Sequence, residues 1–283
     1  MSQATALGRD VSSEPPRDGG RPGAWRVYGY MLLRYKRTWR GTLTTSFLYP
    51  LLYLLAMGLG LGHLVDQHLA STGSSGLARL GGETYAQFIA PGVLAATAMQ
   101  MGYNESTYPV MHGIKWDRVY FAMIATPIAV RSVQLGHLGW IATRLATAAA
   151  IFLGVIAVFG DVRSLWAILA LPATVVTGLA FAAPMTAFSA KQENDNAFSL
   201  VYRMAVIPLF LFSGTFFPLS QLPAWLQVLA RLTPLYHGVA LCRGLVLGNL
   251  GLADGLAHAG YLLALVVAGV AWGRRTYLRR LFQ

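Results

Sequence analysis

The residues best suited to chemistry are three ionisable side chains that fall inside long apolar stretches. Glu105 lies near the inner end of one stretch, and His137 and Arg144 lie within the next. An arginine at the centre of a membrane-spanning helix costs about 2.5–3.5 kcal/mol on insertion scales, so it normally faces the protein interior and finds a partner. We expect Glu105 and Arg144 to approach each other and to brace the inner half of a helix bundle. The alternative is that each side chain reaches separately to the membrane interface.

Those three residues are also the only plausible active-site residues of a membrane-embedded enzyme. The sequence lacks the motifs that such an enzyme would use. There is no Gly-x-x-x-x-Gly-Lys-[Ser/Thr] loop, so ATP binding of the P-loop kind is excluded. Neither His-Glu-x-x-His nor Gly-x-Ser-x-Gly occurs, which removes the simplest routes to a hydrolase. We therefore expect a non-catalytic chain that binds no cofactor of its own.

Metal binding and disulfide formation have little support. His63 and His68 flank an outer loop without a third ligand of fitting type, so we predict no metal site there. His237 is more often a structural hydrogen-bond donor in such a position than a ligand or proton carrier. The single cysteine, Cys242, excludes an internal disulfide.

The composition indicates that these residues sit in a membrane. Of 283 residues, 55% are hydrophobic and only 12% are charged, against about 25% charged in a typical soluble domain. The formal net charge is +11, with most of the excess in the first 40 residues and the last ten. That distribution predicts anchoring to the anionic lipids of the inner leaflet and argues against a nucleic-acid partner.

Six apolar runs are long enough to approach the ~20 residues that cross a hydrocarbon core. We place them at about Leu43–Leu64, Tyr85–Val110, Ser132–Phe159, Ser164–Ala190, Ala197–Phe217 and Gly255–Gly273. The corresponding organisation is a disordered tail (1–23), an interfacial amphipathic helix (24–42), a six-span domain (43–273) and a basic cytoplasmic tail (274–283). The fold class is all-α integral membrane.

The positive charges orient this bundle. Eight Lys or Arg residues precede the first span, and Arg274, Arg275, Arg279 and Arg280 follow the sixth. Loops assigned to the same side carry Lys115, Arg118, Arg131, Lys191 and Arg203, whereas the opposite side has Arg79, Arg163, Arg231 and Arg243. Because Lys and Arg are enriched in cytoplasmic loops, both termini are predicted to be cytoplasmic, with the protein in the inner (plasma) membrane.

An aromatic stripe precedes the first span. Trp25, Tyr28, Leu32, Tyr35 and Trp39 recur at steps of three and four, so they line one helical face beside a row of basic residues. Such a helix typically lies in the membrane interface. The alternative is a surface helix packed against another element.

The segment between spans two and three has the composition of a short cytoplasmic helix. It mixes charged and aromatic residues with a helix-compatible rhythm, bounded by a glycine and by Pro127. Its residues are Gly113, Ile114, Lys115, Trp116, Asp117, Arg118, Val119, Tyr120 and Phe121. A short cytoplasmic helix there could be pushed by a soluble partner, moving both spans together. The alternative is an interfacial linker without a partner.

The passage between spans five and six is too interrupted to span a bilayer and too apolar for an ordinary outer loop. We interpret it as two short re-entrant helices, since non-helical backbone at membrane depth needs cover from protein or a water-filled cavity. Aromatic residues here and in span one are candidates for a translocation path and outer gate, although core packing would use the same residue types. The candidates are Tyr49, Tyr53, Phe212, Phe216, Trp225 and Tyr236.

Three motifs, in this order and spacing, resemble the permease subunit of type-2 ABC exporters, in the branch of nodulation-factor and daunorubicin-resistance exporters. They are YPLLYLLAMGLGLG at 49–62, AMIATP at 122–127 and FSGTFFPL at 212–219. The resemblance implies six spans with an interfacial helix, a coupling helix at Gly113–Phe121 and re-entrant outer helices. It also implies two separate ABC ATPase subunits, which handle ATP and Mg²⁺, and a second copy of the chain or a sister permease.

This resemblance leads to a functional hypothesis: ATP-driven export of an amphipathic or lipid-linked substrate such as a lipo-oligosaccharide, a polysaccharide precursor or a hydrophobic drug. The alternative is an ATP-independent channel or carrier. The chain would then be a passive gate among membrane lipids, with spans one, two and five lining the path.

Overall fold

The computed structural model describes residues 23–54, 56, 67, 84–160 and 162–282, with backbone alone over 38–51 and 53–54. The described part contains eleven α-helices, two π-helical turns and two short 3₁₀ segments, and it contains no strand. The α-helices are α1 Gly23–Leu54, α2 Tyr85–Ser106, α3 Tyr108–Met111, α4 Val119–Ile124, α5 Val130–Val158, α6 Ala170–Ser189, α7 Asn196–Val201, α8 Ile207–Phe212, α9 Ala224–Arg231, α10 Pro234–Leu247 and α11 Leu252–Leu281.

The predicted all-α membrane class is confirmed at this level. Three stretches of the described residues are long and apolar enough to cross a membrane: Val130–Val158, Leu165–Ser189 and Leu252–Leu281. The first two coincide with predicted spans three and four to within two residues. Prolines and caps shape the ends, as at α2, where Thr84 and Gln87 form a reciprocal capping box.

Three predicted boundaries differ from the observed helices. Helix α1 continues through residue 42 without a break, and α11 continues to Leu281 because Tyr277 and Leu281 pack inside the protein. Predicted span five is corrected to a shorter stretch, Asn196–Phe212, which contains a π-helical turn. The following Ser-Gly-Thr leaves the helix, with Gly214 at φ +81°, so Phe216 and Phe217 belong to a turn.

Helix α6 is the centre of the bundle and contacts α2, α5, α10 and α11. Small residues allow this close packing, as expected for helices in a membrane. A Cβ on Gly102 of α2 would lie 2.3 Å from the backbone oxygen of Gly178, and one on Gly269 of α11 would lie 2.5 Å from the backbone nitrogen of Pro184. Backbones therefore meet with no side chain between them.

The remaining helices attach to this centre. Helix α1 packs along α5, where Val27 fills the space beside Gly136. Along the chain, α8 is followed by the 3₁₀ turn Leu219–Gln221, the short helix α9, helix α10 and then α11. Helix α10 is buried against α2 and α6 and is capped by Thr233, whose side chain accepts a hydrogen bond from the Tyr236 backbone N–H.

Several predictions fall outside the described residues. They concern the tail at 1–22, the glycine-rich segment at 57–62, His63 and His68. The side chains of Trp39, Tyr49 and Tyr53 also lie outside the described part, so their predicted roles stay predictions.

The crossing of α2 and α6 gives a stability prediction. We expect Gly102→Ala to lower the thermal unfolding midpoint in detergent, because overpacking a tight contact costs about 1–3 kcal/mol. Gly260→Ala is the matched control, since nothing lies within 4 Å of its Cβ position. Glycine inside a helix is less stable than alanine by about 0.5–1 kcal/mol, so the control should be unchanged or more stable. A Gly102→Ala protein as stable as the control would contradict the observed packing.

Candidate functional site

The candidate site is the segment Gly113–Phe121, which we call the coupling segment. A single helix was predicted there, and the structure corrects this. Residues His112–Trp116 form a π-helical turn, Arg118 adopts a left-handed conformation at φ +51°, and α4 begins at Val119. Left-handed geometry is strained for a residue with a side chain, and at Arg118 it separates the two short helical pieces. Isolated π-helical turns are frequent at functional sites.

The coupling segment has a buried root and an exposed tip. Gly113, Ile114 and Tyr120 are buried, whereas the four consecutive residues Lys115–Arg118 are exposed. Trp116 is 49% exposed and its ring meets the His112 ring at 4.3 Å. A Cβ on Gly113 would lie 2.7 Å from the Tyr120 ring, so the two halves of the segment pack directly on each other.

A buried histidine joins the root to two long helices. The Tyr120 hydroxyl lies 2.9 Å from Nδ1 of His137 on α5, and His137 Nε2 lies 3.0 Å from the Glu105 backbone oxygen on α2. A carbonyl oxygen only accepts, so Nε2 carries the proton and Nδ1 of the neutral ring accepts from Tyr120. Tyr120 and His137 are each 1% exposed, so neither group has water as an alternative partner.

The predicted approach of Glu105 and Arg144 is present in the structure. Arg144 Nη1 donates to Glu105 Oε1 at 2.5 Å, and both side chains are 17% exposed. The Arg144 guanidinium also lies over the ring of Tyr35 on α1, 5.5 Å from the ring centre. The ion pair thus connects α2, α5 and α1 beside the histidine link.

Glu105, Arg144 and His137 converge, and each has a partner within the protein. The carboxylate is paired with the guanidinium, and both imidazole nitrogens are engaged. The arrangement is that of a structural brace.

A second carboxylate ties the exposed tip to the C-terminal helix. Glu193, in the loop after α6, accepts from Arg280 of α11 at 2.5 Å. Lys115 Nζ donates to the Glu193 backbone oxygen and lies 3.8 Å from its Oε2. The hydrogen bond and charge of Arg280 lower the pKa of Glu193 below its ordinary value. Glu193 therefore stays ionised at neutral pH and holds two elements together.

The aromatic stripe of α1 is divided between protein and surroundings. Tyr28 and Tyr35 pack on Trp140 of α5, with ring centres 6.4 and 5.0 Å away, and Thr143 donates to the Tyr28 hydroxyl at 3.1 Å. Trp25 and Leu32 are exposed. Arg34 Nη2 of the same helix lies 3.7 Å from Oδ2 of Asp117 in the coupling segment. Helix α1 is thus a flank of the site.

The outer candidates do not form one cluster with this site. Phe216 meets Phe210 edge-on at 4.9 Å, Phe212 and Trp225 are exposed, and the Tyr236 ring lies 5.9 Å from the ring of His258. His237 and His258 share a 2.7 Å contact between their Nδ1 atoms. Within the described residues, no group of three or more His, Cys, Asp or Glu could hold a metal ion.

Sequence reasoning missed the residues that complete these contacts. Arg243 was assigned to an outer loop, yet it donates to the backbone oxygens of Phe88 and Gly214 at 3.0 and 2.9 Å. It thereby fastens the Ser-Gly-Thr turn to α2. The roles of Glu193 and Arg280 depend on residues 87 positions apart, for which a single sequence carries no signal.

The ion pair in the brace can be tested by charge removal. We expect Glu105→Gln and Arg144→Gln to lower stability by about 3 kcal/mol each, because either change leaves an unpaired charge at a poorly hydrated site. The double variant Glu105→Gln/Arg144→Gln, in which two amides face each other, should be more stable than either single variant. Thermal unfolding in detergent measures all three. Single variants that unfold like the wild type would show that each charge is solvated separately.

The Glu193 link can be tested by amide exchange. We expect Glu193→Gln to speed hydrogen exchange across residues 112–117 at pH 7, because the tip loses the carboxylate that holds Lys115 near Arg280. A lowered pKa means that the link exists above the ordinary value of 4.5 and is lost as pH falls through the lowered value. The difference between wild type and variant should therefore vanish in acid. Asp195→Asn, in the same loop, is the control; an equal effect there would contradict a specific link.

Comparison with known proteins places these features in a family. The sequence profile described as ABC-2 type transporter matches residues 24–247. Nodulation protein J of Rhizobium leguminosarum bv. trifolii is 30% identical over 249 residues, covering 88% of this chain and 90% of that protein. Nodulation protein J of Rhizobium meliloti (strain 1021) is 29% identical, covering 83% and 85%. The inner membrane transport permease YadH of Escherichia coli (strain K12) is 26% identical, covering 86% and 89%. With a profile match over most of its length, the chain belongs to the ABC-2 type transporter family.

Proposed function

We propose that the chain is the permease subunit of an ATP-driven exporter. Two ABC ATPase subunits bind it from the cytoplasm and supply ATP and Mg²⁺ chemistry, and a second copy or a sister permease completes the pathway. The cargo is an amphipathic or lipid-linked molecule moved outward across the inner membrane, a class that includes lipo-oligosaccharides and hydrophobic drugs. Both termini are cytoplasmic in this arrangement.

The observation that carries the proposal is the contrast between the tip and the root of the coupling segment. Lys115–Arg118 present two cations, a carboxylate and a half-exposed tryptophan at the outside of the structure. Tryptophan and arginine are the residue types most enriched among the energetic centres of protein interfaces. An exposed tryptophan among charges therefore suits a protein partner at this end of the bundle.

The root explains how a push on the tip would reach the membrane. Tyr120 is linked through His137 to α5 and to the Glu105 carbonyl of α2, and Tyr120 also lies against Tyr277 of α11. Displacing the segment would break buried hydrogen bonds unless these helices move with it. An ATPase that binds one arrangement of the bundle more tightly than another would shift its population accordingly.

The outer end supplies features that fit a gate. Helices α9 and α10 come after α8 and before α11 in the chain, and we assign them as the re-entrant pair. Exposed aromatic rings at Phe212 and Trp225 suit an amphipathic cargo better than an ion. Tyr49, Tyr53 and Phe216 complete the proposed path.

An ATP-independent channel or carrier is the competing function. It would leave the exposed tip without a partner and the tie through Glu193 without a mechanical role. Transport that survives ATP depletion, in a protein purified without an ATPase, would favour it.

The coupling segment gives the direct test. We expect Trp116→Ala/Arg118→Ala to weaken capture of the ATPase by roughly 30-fold or more, because truncating a central interface tryptophan costs about 2 kcal/mol or more. Export should fall while the folded permease remains in the membrane. Leu165→Ala is the control, since Leu165 is 96% exposed at the opposite end of the bundle. Normal ATPase binding and normal export by the double variant would contradict the proposal.

A further variant separates the side chain of Arg118 from its backbone. Arg118→Gly removes the guanidinium and relieves left-handed strain, whereas Arg118→Ala removes the guanidinium and keeps the strain. If the charge contacts the ATPase, both variants should lose the same affinity. Loss with glycine alone would assign the effect to the backbone at position 118, because alanine keeps the left-handed strain of the wild-type residue.

A further inference from the structure

A cavity of the described part lies on the side of the bundle away from the coupling segment. It has a volume of about 550 Å³ and is lined by α6, α10, α11 and the 3₁₀ turn that precedes α6. Its lining contains Trp, Leu, Pro, Ala, Val and Gly and no charged residue. A volume of this size is in the range of small-molecule sites, about 300–1,000 Å³.

The lining residues form three stripes that run along the helices. On α11 the stripe is Leu252, Gly255, Leu256, Ala259 and Leu263, at steps of three and four. Positions 241, 244, 245 and 248 repeat this spacing on α10, and positions 169, 172, 173 and 176 repeat it at the start of α6. Because residues at this spacing share one helical face, the cavity is an elongated groove.

The length of the groove matches one leaflet. Leu252 and Leu263 are eleven positions apart on the helix, which is a rise of about 16 Å at 1.5 Å per residue. Half of a hydrocarbon core of about 30 Å is about 15 Å. Leu252 and Leu256 at the edge of the groove are 81% and 66% exposed, so the groove opens sideways into its surroundings.

Polar groups stand at one end of the groove only. A Cβ on Gly248 would lie 3.0 Å from the Ser164 side chain, and one on Gly251 would lie 3.1 Å from Asp254 Oδ2. The backbone N–H of Arg163 donates to the Val246 oxygen at 3.1 Å, which places this exposed cation at the same end. The groove therefore has the polarity of a lipid, with a charged head at the rim and an apolar tail along the stripes.

We propose that this groove holds one acyl chain of a bilayer phospholipid, with its phosphate beside Arg163. The inference rests on the proposed permease function for its orientation, which makes this the outer leaflet. The length of the groove and its apolar lining fit an acyl chain of the surrounding membrane, and Arg163, near the carboxylate of Asp254, is the cation at the rim.

The experiment uses the full chain in vesicles of phosphatidylethanolamine and phosphatidylglycerol, without ATPase or nucleotide. A trace phospholipid carries a diazirine near the end of one acyl chain. After irradiation and digestion, we expect the label at the deep ends of the stripes, near Val176, Leu241 and Leu263. Ala259→Phe should lower that labelling by about fivefold or more. The phenyl ring would occupy the groove, and the close-packed protein around it cannot open an equal space elsewhere.

Ala264→Phe is the matched control, because Ala264 is exposed on the same helix and lies off the groove; it should keep the label. Arg163→Gln should lower labelling with the stripes intact. Equal labelling of Ala259→Phe and the control would overturn the proposal. The proposal would also be overturned if a lipid-linked saccharide displaced the label and excess phospholipid did not. It would likewise be overturned if the groove cross-linked to residues 55–83 or to a second copy of the chain and not to the phospholipid. Since no ATPase is present, failure here would leave the export function to its own test.

Discussion

The neutral imidazole of His137 is buried between α2, α5 and the coupling segment, and each of its nitrogens has a partner that cannot be replaced by water. Tyr120 donates to one nitrogen and the Glu105 carbonyl accepts from the other. An unpaired polar group at such a site would cost about 1–3 kcal/mol, so separating any of the three elements carries a penalty. The Glu105–Arg144 pair adds to the same corner, where a lone charge would be more expensive still. A loop between two spans thereby becomes a rigid attachment.

The contacts at the tip differ in kind. Arg34–Asp117 and Lys115–Glu193 are exposed ion pairs at 3.7 and 3.8 Å, a class of interaction that contributes little and is screened by salt. A partner that offered better contacts could replace them without disturbing the root. Weak ion pairs at the exposed tip and buried hydrogen bonds at the root would let a partner bind the tip and move the root with it. The aromatic flank of α1 on Trp140 supports the same corner from the membrane side.

The sequence predicted the helices whose apolar runs have only one physical solution. Spans three and four were placed within two residues because some twenty apolar residues must cross the membrane as helix. The approach of Glu105 and Arg144 was predictable for a related reason, since two intramembrane charges of opposite sign have few other partners. Span five was placed too long, because its apolar composition continues through Phe216 and Phe217 although the backbone turns at Gly214.

Other features had no signal in the sequence. The left-handed Arg118 occupies a position where glycine or asparagine would have indicated a reversal, so the coupling segment was predicted as one helix. His137 was read as a possible catalytic seed because its two partners, Tyr120 and a backbone carbonyl, depend on tertiary packing. Lys115 and Arg280 both contact Glu193. These residues lie in the coupling segment, on α11 and in the loop after α6, which come together only in the folded chain.

We propose that an ABC ATPase binds this chain at the Lys115–Arg118 tip. The most direct measurement is site-specific photo-cross-linking, with a photoreactive amino acid at position 116 in the intact assembly and one at position 165 for comparison. The account predicts cross-links from position 116 to an ABC ATPase subunit and none from position 165. Cross-links to the ATPase from position 165, or only lipid adducts at position 116, would contradict it.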